Sequence, residues 1–447
     1  MVTQTPTLMD LNLPPSTLPR LVIVGSGFGG IQLVKSLRGQ PFQVVLLDKN
    51  NYHTFLPLLY QVATAGLEPD AIAEPVREIF REEPHFHFRL AEALRIEPSQ
   101  NRIDTSLGSL SYDFLVLACG SQANFYGNAA LSQHVLPMKT IAQALALRSH
   151  LLANAELALE LPDTDQQLQL LNVVIAGGGP TGVELAGALC ELRDIVLAKD
   201  YPTLPVSRMQ IQLVEANPRL LHTMSEDSSR KAYAYLTQMG VRIHLNKLVS
   251  SFDGTSLLLS DDTRHATKTV FWTAGVKGVI IPGLAAASMS PTNRYLVNLF
   301  NQVQGYENVF AIGDNARQTL PSFPNGLPGL APVSIQQGAH LARNLLNYVQ
   351  KKPLQPFRYQ NKGVMAVIGR NRAVVELPSW HTQGFVAWLL WLGVHLALLV
   401  GFRNRATTLL NWAVNYFSYS RASRLITRFP DATVQAVTGV FQPSDLT

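Results

Sequence analysis

The sequence predicts an α/β fold: two parallel-sheet units built on one plan, followed by a C-terminal region of amphipathic helices. Three observations carry this reading. A strand, a glycine turn, a helix and a second strand follow one another from Leu21. The same order returns from Val173. Late in the chain, Phe385 to Phe402 form an apolar run of 18 residues with no formal charge and one histidine. A chain of 447 residues has room for two or three domains and a large core.

In the first pattern, Leu21 to Val24 read as a buried strand, and Gly25-x-Gly27-x-x-Gly30 turns the chain into a helix. "FQVVLLD" then gives a second strand ending on Asp48. Gly25 permits the tight turn, Gly27 lets a pyrophosphate approach the backbone, and Gly30 lets helix and sheet pack closely. The helix start offers free N–H groups to phosphate, and Asp48 is placed to accept from ribose hydroxyls. Phe28 and Gly29 inside the turn and Lys49 after the acid complete this cofactor-binding set.

The second pattern runs from strand Val173–Ala176 through Gly177-x-Gly179-x-x-Gly182, with Pro180 and Thr181 inside the turn, to Glu215 at the end of "MQIQLVEAN". A carboxylate there accepts from a ribose and repels a 2′-phosphate, which favours NADH over NADPH. Arg219 nearby works against that preference. Two such Rossmann-like units imply two dinucleotides, and the natural pair is a flavin with a nicotinamide, FAD and NADH. Three more strand exits fit the plan: "YDFLVLACGS" with Cys119 and Gly120, "TVFWTAGV" with Ala274 and Gly275, and "ENVFAIGDNA" with Gly313 and Asp314. The last carboxylate is placed to hold a hydroxyl-rich ribityl chain.

Composition narrows the partners. Hydrophobic residues make up 47% and charged residues 15%, with Lys+Arg 36 against Asp+Glu 31, and nothing resembles a nucleic-acid arm. Between Leu377 and Pro430 stand Arg403, Arg405, Arg421, Arg424 and Arg428 with no Asp or Glu, a basic apolar tail suited to an anionic bilayer surface. Two cysteines, Cys119 and Cys190, form no CxxC pair and read as packing residues. No metal-ligand spacing occurs.

"NYHTFLPLLYQVATAGLEP", "GGGPTGVELAGAL", "WTAGV", "FAIGDNA", "MAVIGRNRAVVEL" and "GFVAWLLWLGVHLALLVGFRNR" together resemble the type II NADH dehydrogenases, single-subunit flavoprotein NADH:quinone oxidoreductases. The likeness runs in order from about Leu21 to about Ile426. It implies two Rossmann-like domains, the NADH domain nested in the FAD domain, with non-covalent FAD and electron transfer from NADH to a membrane quinone, menaquinone or ubiquinone, without proton pumping. On that pattern residues 1–19 are a flexible lead-in, 20–125 with 300–355 the FAD-binding domain, 126–299 the NADH-binding domain and 356–447 the membrane-associating region. A homodimer is among the assemblies the resemblance allows.

The resemblance also assigns roles. Glu184, two residues after Gly182, either complements the helix dipole or, as in the family, handles protons beside nicotinamide and flavin. Gln336 and Gln337 match the family's quinone-site glutamines, although Ala331-Pro332-x-Ser334 replaces the usual Ala-Gln-x-Ala ahead of them. Lys362 and Met365 resemble residues at the quinone mouth, where the lysine either pairs with Glu184 or is a solvated lysine ahead of a strand. His53 reads as structural.

The apolar run poses a topological problem. The NADH site must face the cytoplasm, and Arg403 and Arg405 favour the same side; one span cannot satisfy both. Trp388, Trp391, His395 and Phe402 fall near one helical face, suited to the headgroup boundary. The expectation is therefore a monotopic, peripheral membrane protein on the cytoplasmic face, with "RATTLLNWAVNYFSYSRASRL" as a second amphipathic helix. Two rival readings stay open: an NAD(P)H-dependent prenyl-naphthoquinone reductase, and a flavin-binding redox sensor with little turnover. Sulfide:quinone reductases share the fold but use redox cysteines, which are badly placed here.

Overall fold

A computed structural model of the protein describes residues 8–418 and 424–427; Arg421 and Arg428 of the basic tail lie outside the described residues. In chain order the elements that position the site are β1 Arg20–Val24, α1 Phe28–Ser36, β2 Gln43–Asp48, β3 Phe86–Leu90, β4 Phe114–Leu117, β5 Leu136–Pro137, α2 Ile141–Leu159, β6 Val173–Ala176, α3 Pro180–Glu191, β7 Ile211–Glu215, β8 Val241–Leu245, β9 Thr269–Trp272, β10 Val309–Ala311, α4 Ala331–Val349, β11 Val364–Val367, β12 Ala373–Leu377, β13 Trp380–Gln383, α5 Phe385–Leu398 and α6 Phe402–Ser418.

The chain forms two compact units: residues 1–53, 74–122 and 276–361 make unit one, and residues 54–73, 123–275 and 362–447 make unit two. Unit one holds a parallel sheet in the order β10-β4-β1-β2-β3. Its inner strands β1, β2 and β4 carry near-continuous apolar runs because both faces are covered. Leu21, Ile23, Val44 and Leu46 face one core with α1 and α4, while Val22, Val24, Val45 and Leu47 face another with Ile96, Ile103 and Leu110. Alternate side chains on a strand point to opposite faces, so one strand feeds both cores.

The lead-in expected to be flexible is tied down from Leu8. Leu8–Met9 pairs in parallel with Gly108–Ser109. Leu11 is buried, Arg89 Nε donates to its carbonyl at 3.1 Å, and Gln43 Nε2 donates to Pro14 O at 2.9 Å. Residues 276–299 also group with unit one, because Tyr295–Val297 pairs with Ala316–Gln318 and Tyr295 is fully buried in the second core.

Unit two repeats the plan: a parallel sheet in the order β5-β9-β6-β7-β8. Val174, Ala176, Val214, Val270 and Trp272 bury one face. Helix α3 passes so close to the turn after β11 that a Cβ on Gly187 would lie 2.9 Å from the Gly369 nitrogen.

The C-terminal part of unit two continues from the antiparallel sheet β11-β12-β13 into α5. This helix has 14 residues. It spans about 21 Å at 1.5 Å per residue, short of the ~30 Å hydrocarbon layer. Leu399 is extended and Gly401 has φ 86°, so the apolar run breaks before Phe402. No described helix is long and apolar enough to cross a membrane. The faces of α5 are the reverse of the expected ones at two positions: Trp391 and His395 point inward, 1% and 8% exposed, with rings stacked at 4.0 Å, while Phe385, Val386, Leu389 and Leu398 are exposed. The aromatic face has the larger area to bury and finds Phe55 and Trp412 to pack on.

Helix α6 is inverted relative to an ordinary surface helix. Its inward face is polar: Asn404 donates to Ala73 O at 2.9 Å, Thr408 to Ala71 O at 3.1 Å, Trp412 to Gln61 Oε1 at 2.9 Å and Asn415 to Gly66 O at 2.9 Å. Its outward face carries Phe402, Leu409, Leu410, Val414 and Phe417, all at least half exposed.

Candidate functional site

Two glycine cradles stand at the carboxyl ends of the two sheets. In unit one Gly25 sits at φ 110°, and a Cβ on Gly30 would overlap the Gly25 carbonyl oxygen. Helix α1 starts after Gly27 with no side-chain cap, so its first turn presents the positive end of the helix to a phosphate. In unit two Gly177 has φ 112°, Gly182 stands equally close to the Gly177 carbonyl, and α3 starts after Gly179 uncapped with Pro180 in the first turn. Thr181 is exposed there.

The two acids first hold their own loops. Asp48 Oδ2 accepts from Ser26 N and Oγ, both at 2.7 Å, and Oδ1 from Asn50 N at 2.8 Å. Glu215 Oε2 accepts from Gly178 N at 2.5 Å, and Oε1 from Asn217 N at 2.7 Å and Nδ2 at 2.6 Å. A carboxylate offers about four lone-pair sites, so each acid keeps capacity for a ribose hydroxyl. Arg219 is committed elsewhere, donating to Met224 O at 2.7 Å and His222 O at 2.9 Å. Lys49 is exposed beside Asp48. Phe28 meets the buried His53 edge-on at 5.2 Å, and His53 Nδ1 bonds Ser26 O at 2.8 Å.

The return strands close the crevices. In unit one Gly120 N donates to Asn315 Oδ1 at 2.6 Å, and Ser121 Oγ donates to Asp314 Oδ2 at 2.6 Å, which brings the exits of β4 and β10 together. A Cβ on Gly120 would meet nothing within 4 Å. Uncapped helix start, glycine turn, open Gly120 and Asp314 fit a flavin dinucleotide. In unit two a Cβ on Gly177 would lie 2.7 Å from Ala274 N, so the exits of β6 and β9 abut.

Neither cysteine is poised as a thiolate, although Cys119 is only half-buried. The Cys119 thiol donates to Val24 O at 3.6 Å, Cys190 is buried inside α3, both are free, and burial pushes each up to about 12.

Unit two also holds a cavity of about 490 Å³ between α3, α5 and α6, walled by Glu184, Val367, Trp388, Trp391, Trp412 and Tyr416 among others. Glu184 is 8% exposed and accepts from Val367 N at 3.4 Å. Burial raises its carboxyl to about 8, against the smaller downward pull of the Val367 N–H. Such a carboxyl is mostly protonated at neutral pH.

Other quinone-site candidates sit differently. Lys362 is exposed, and no ion pair joins it to Glu184 among the described residues. Met365 lies on β11 two residues before Val367 and outside the cavity wall. Gln336 and Gln337 belong to unit one. Gln337, 1% exposed, accepts from Gly313 N at 2.7 Å and donates to Gln318 Oε1 at 3.0 Å. Gln336 exchanges two bonds with the Gln360 backbone, at 2.9 and 3.0 Å. Both amides are spent on the fold. Pro332, the departure from the usual motif, occupies the first turn of α4, where a missing N–H costs nothing. Sequence reasoning missed Trp391 and Trp412 as cavity walls; the i, i+4, i+8 spacing of Ala387, Trp391 and His395 marks a face but not its direction.

The chain matches the family described as pyridine nucleotide-disulphide oxidoreductase over residues 19–338, and the NDH2 C-terminal domain over residues 361–421. It is 33% identical over 426 residues to the type II NADH:quinone oxidoreductase NdhA of Mycobacterium tuberculosis, covering 91% of this chain and 89% of that protein. It is 28% identical over 446 residues to the mitochondrial external NADH-ubiquinone oxidoreductase 2 of Saccharomyces cerevisiae, covering 89% and 81%. Among solved structures, NDH2 of Plasmodium falciparum in complex with NADH has the same fold, with TM-score 0.84 at 19% identity over 92% of this chain and 100% of that one. The sulfide:quinone oxidoreductase of Aquifex aeolicus is more distant, with TM-score 0.68 at 18% identity over 92% and 96%. The chain belongs to the type II NADH:quinone oxidoreductases, within the pyridine nucleotide-disulphide oxidoreductase family.

Proposed function

We propose that the protein oxidises NADH at the second cradle and reduces a membrane quinone at the Glu184 cavity, without pumping protons. The observation that carries this is the cavity itself. A carboxyl raised to about 8 stands on the wall of an apolar chamber, and two of its walls, α5 and α6, expose apolar faces. Quinone reduction consumes protons as well as electrons, and a buried neutral acid is a proton source in a place water reaches poorly.

Gly25, Gly27, Phe28, Gly29, Gly30, Asp48, Lys49, Cys119, Gly120, Gly313 and Asp314 are the residues that would hold FAD. Bound there, FAD supplies the two-electron relay between nicotinamide and quinone. Gln337 keeps the Gly313 turn in shape through its bond to the Gly313 N–H. Gly177, Gly179, Pro180, Thr181, Gly182, Glu215, Ala274 and Gly275 hold NADH. Glu215, with Arg219 turned onto its own loop, leaves a 2′-phosphate facing a carboxylate and no free guanidinium from Arg219.

The inverted α6 and the outward aliphatic face of α5 support docking in one leaflet of the bilayer, on the cytoplasmic face where NADH is available. A homodimer remains the assembly to test by mass photometry in detergent.

Steady-state assays of FAD-loaded protein, varying NADH or NADPH against menaquinone and ubiquinone analogues, test the reading. Quinone-dependent NADH oxidation with weak NADPH use is expected. Tight FAD with no quinone-dependent turnover would sink it in favour of a redox sensor.

A further inference from the structure

The two cradles differ at the glycine that ends the return strand. In a doubly wound sheet the dinucleotide lies in the crevice at the carboxyl ends of the strands, where strand order reverses. In unit two that crevice lies between β6 and β9, at Gly177 and at Thr273 to Gly275. Gly120 at the matching exit of unit one has open space on its Cβ side. Gly275, at φ 85°, does not: a Cβ there would collide with the hydroxyl of Tyr126 and lie 2.9 Å from the ring carbon bearing it.

Tyr126 is not a packed residue. It is 70% exposed. Its φ is 52°, a left-handed conformation that a bulky residue adopts only under constraint. The constraint comes from its neighbours in the chain. Tyr126 N donates to Asn124 Oδ1 at 3.0 Å, Asn124 O accepts from Trp272 Nε1 at 2.9 Å, and Phe125 packs on Trp272 at 5.8 Å. Residues 124 and 125 are thus pinned to the end of β9, and the strained Tyr126 backbone carries an otherwise loose ring over Gly275. The glycine leaves room for it.

We propose that Tyr126 is a displaceable cover on the nicotinamide end of the second crevice, lying on Gly275 until the nicotinamide ring displaces it. This makes Tyr126 a positioning residue that acts on one half of the dinucleotide, since the adenosine half meets Glu215 and the glycine turn instead. The proposal rests on the second cradle being the nicotinamide site. It also accounts for the difference between the cradles: a resident dinucleotide needs no cover, whereas one that exchanges every turnover leaves its crevice empty between visits.

The test is calorimetric titration of the FAD-loaded protein with NAD+, which does not reduce the flavin, and with ADP-ribose, which lacks the nicotinamide ring. Tyr126→Ala should bind NAD+ about threefold to tenfold more tightly than wild type, the fold-change of releasing one ordinary aromatic contact, with ADP-ribose unchanged. Tyr126→Phe, which keeps the ring, should stay close to wild type with both. Equal changes for the two ligands, no change for either, or weaker NAD+ binding would each overturn the cover. Wild-type protein that binds neither ligand would overturn the assignment of the second cradle, and the cover with it.

Discussion

The two cradles share a glycine spacing, a parallel sheet and the habit of using a terminal acid to hold the loop, yet three of the positions at which they differ change what surrounds the ligand. Two residues after the third glycine stands Gln32 in the first and Glu184 in the second. Gln32 donates to Ser36 one turn on, an ordinary helix-surface bond, whereas Glu184 is buried against a cavity. The residue after the first glycine is Ser26 in one and Gly178 in the other, so Asp48 gains a hydroxyl donor that Glu215 lacks. The exit glycine is open in the first and covered by Tyr126 in the second. Identical scaffolding thus carries different chemistry through a few side chains, as expected when function is grafted onto a common fold.

The largest expected effect comes from the glycines themselves. Gly30→Ala drives a methyl group into the Gly25 carbonyl, and about 1–3 kcal/mol or more of overpacking should fall on the first cradle. Purified protein should lose its flavin absorbance. Gly182→Ala should keep the flavin and lose NADH binding. If each variant lost both ligands equally, the cradles would not be separable.

Next comes Glu184. Glu184→Gln should cut quinone reduction at pH 7 by about tenfold or more and leave flavin reduction by NADH in stopped-flow measurements nearly unchanged. Wild-type quinone reduction should decline as pH rises through about 8, where the carboxyl loses its proton, and the variant should show no such step. Stability follows the same group with a definite sign. A folded value near 8 against an ordinary value near 4.5 costs nothing below about 4.5, costs progressively more up to about 8, and then levels. Glu184→Gln should therefore gain melting temperature relative to wild type as pH rises from 5 to 9. A constant offset across that range would contradict the buried neutral carboxyl. Gln32→Glu, the mirror exchange in the first cradle, should show no comparable pH step.

Smaller effects should distinguish the acids. Glu215→Gln removes the charge that opposes a 2′-phosphate, and the NADH-to-NADPH preference in kcat/KM should fall by about tenfold, the scale of one 1.4 kcal/mol interaction. Arg219→Ala should change that ratio little, since its guanidinium serves backbone carbonyls. Least of all, Cys119→Ser should leave turnover unchanged with flavin intact, because the serine hydroxyl keeps a donor for Val24 O.

How much of this was legible in the sequence depends on range. The glycine turns, the strands Leu21–Val24 and Val173–Ala176, and the terminal acids Asp48 and Glu215 lie within one βαβ stretch, and local sterics fix them. Gly25 and Gly177 need positive φ and Gly30 and Gly182 need bare Cα atoms wherever the chain goes next. Long-range choices were not legible. Gln336 and Gln337 look like ligand-facing amides on a helix, and only the fold brings Gln360, Gly313 and Gln318 to occupy them. Lys362 and Glu184 sit in one unit, yet no ion pair joins them among the described residues.

The apolar run shows the division most clearly. By itself the sequence determined that Phe385 to Phe402 has to bury a great deal of apolar surface, because transfer free energy is a property of the side chains. Where that surface goes was decided by tertiary structure. Gly401 at positive φ ends the helix, Phe55 and Trp412 draw Trp391 and His395 inward, and backbone carbonyls from 66 to 73 capture the polar side of α6. Once those specific partners take the aromatic and polar faces, the aliphatic faces are left outside. Composition sets the sign and size of the hydrophobic term, but that term has no direction, and only directional contacts assembled from distant segments can choose which face it acts upon.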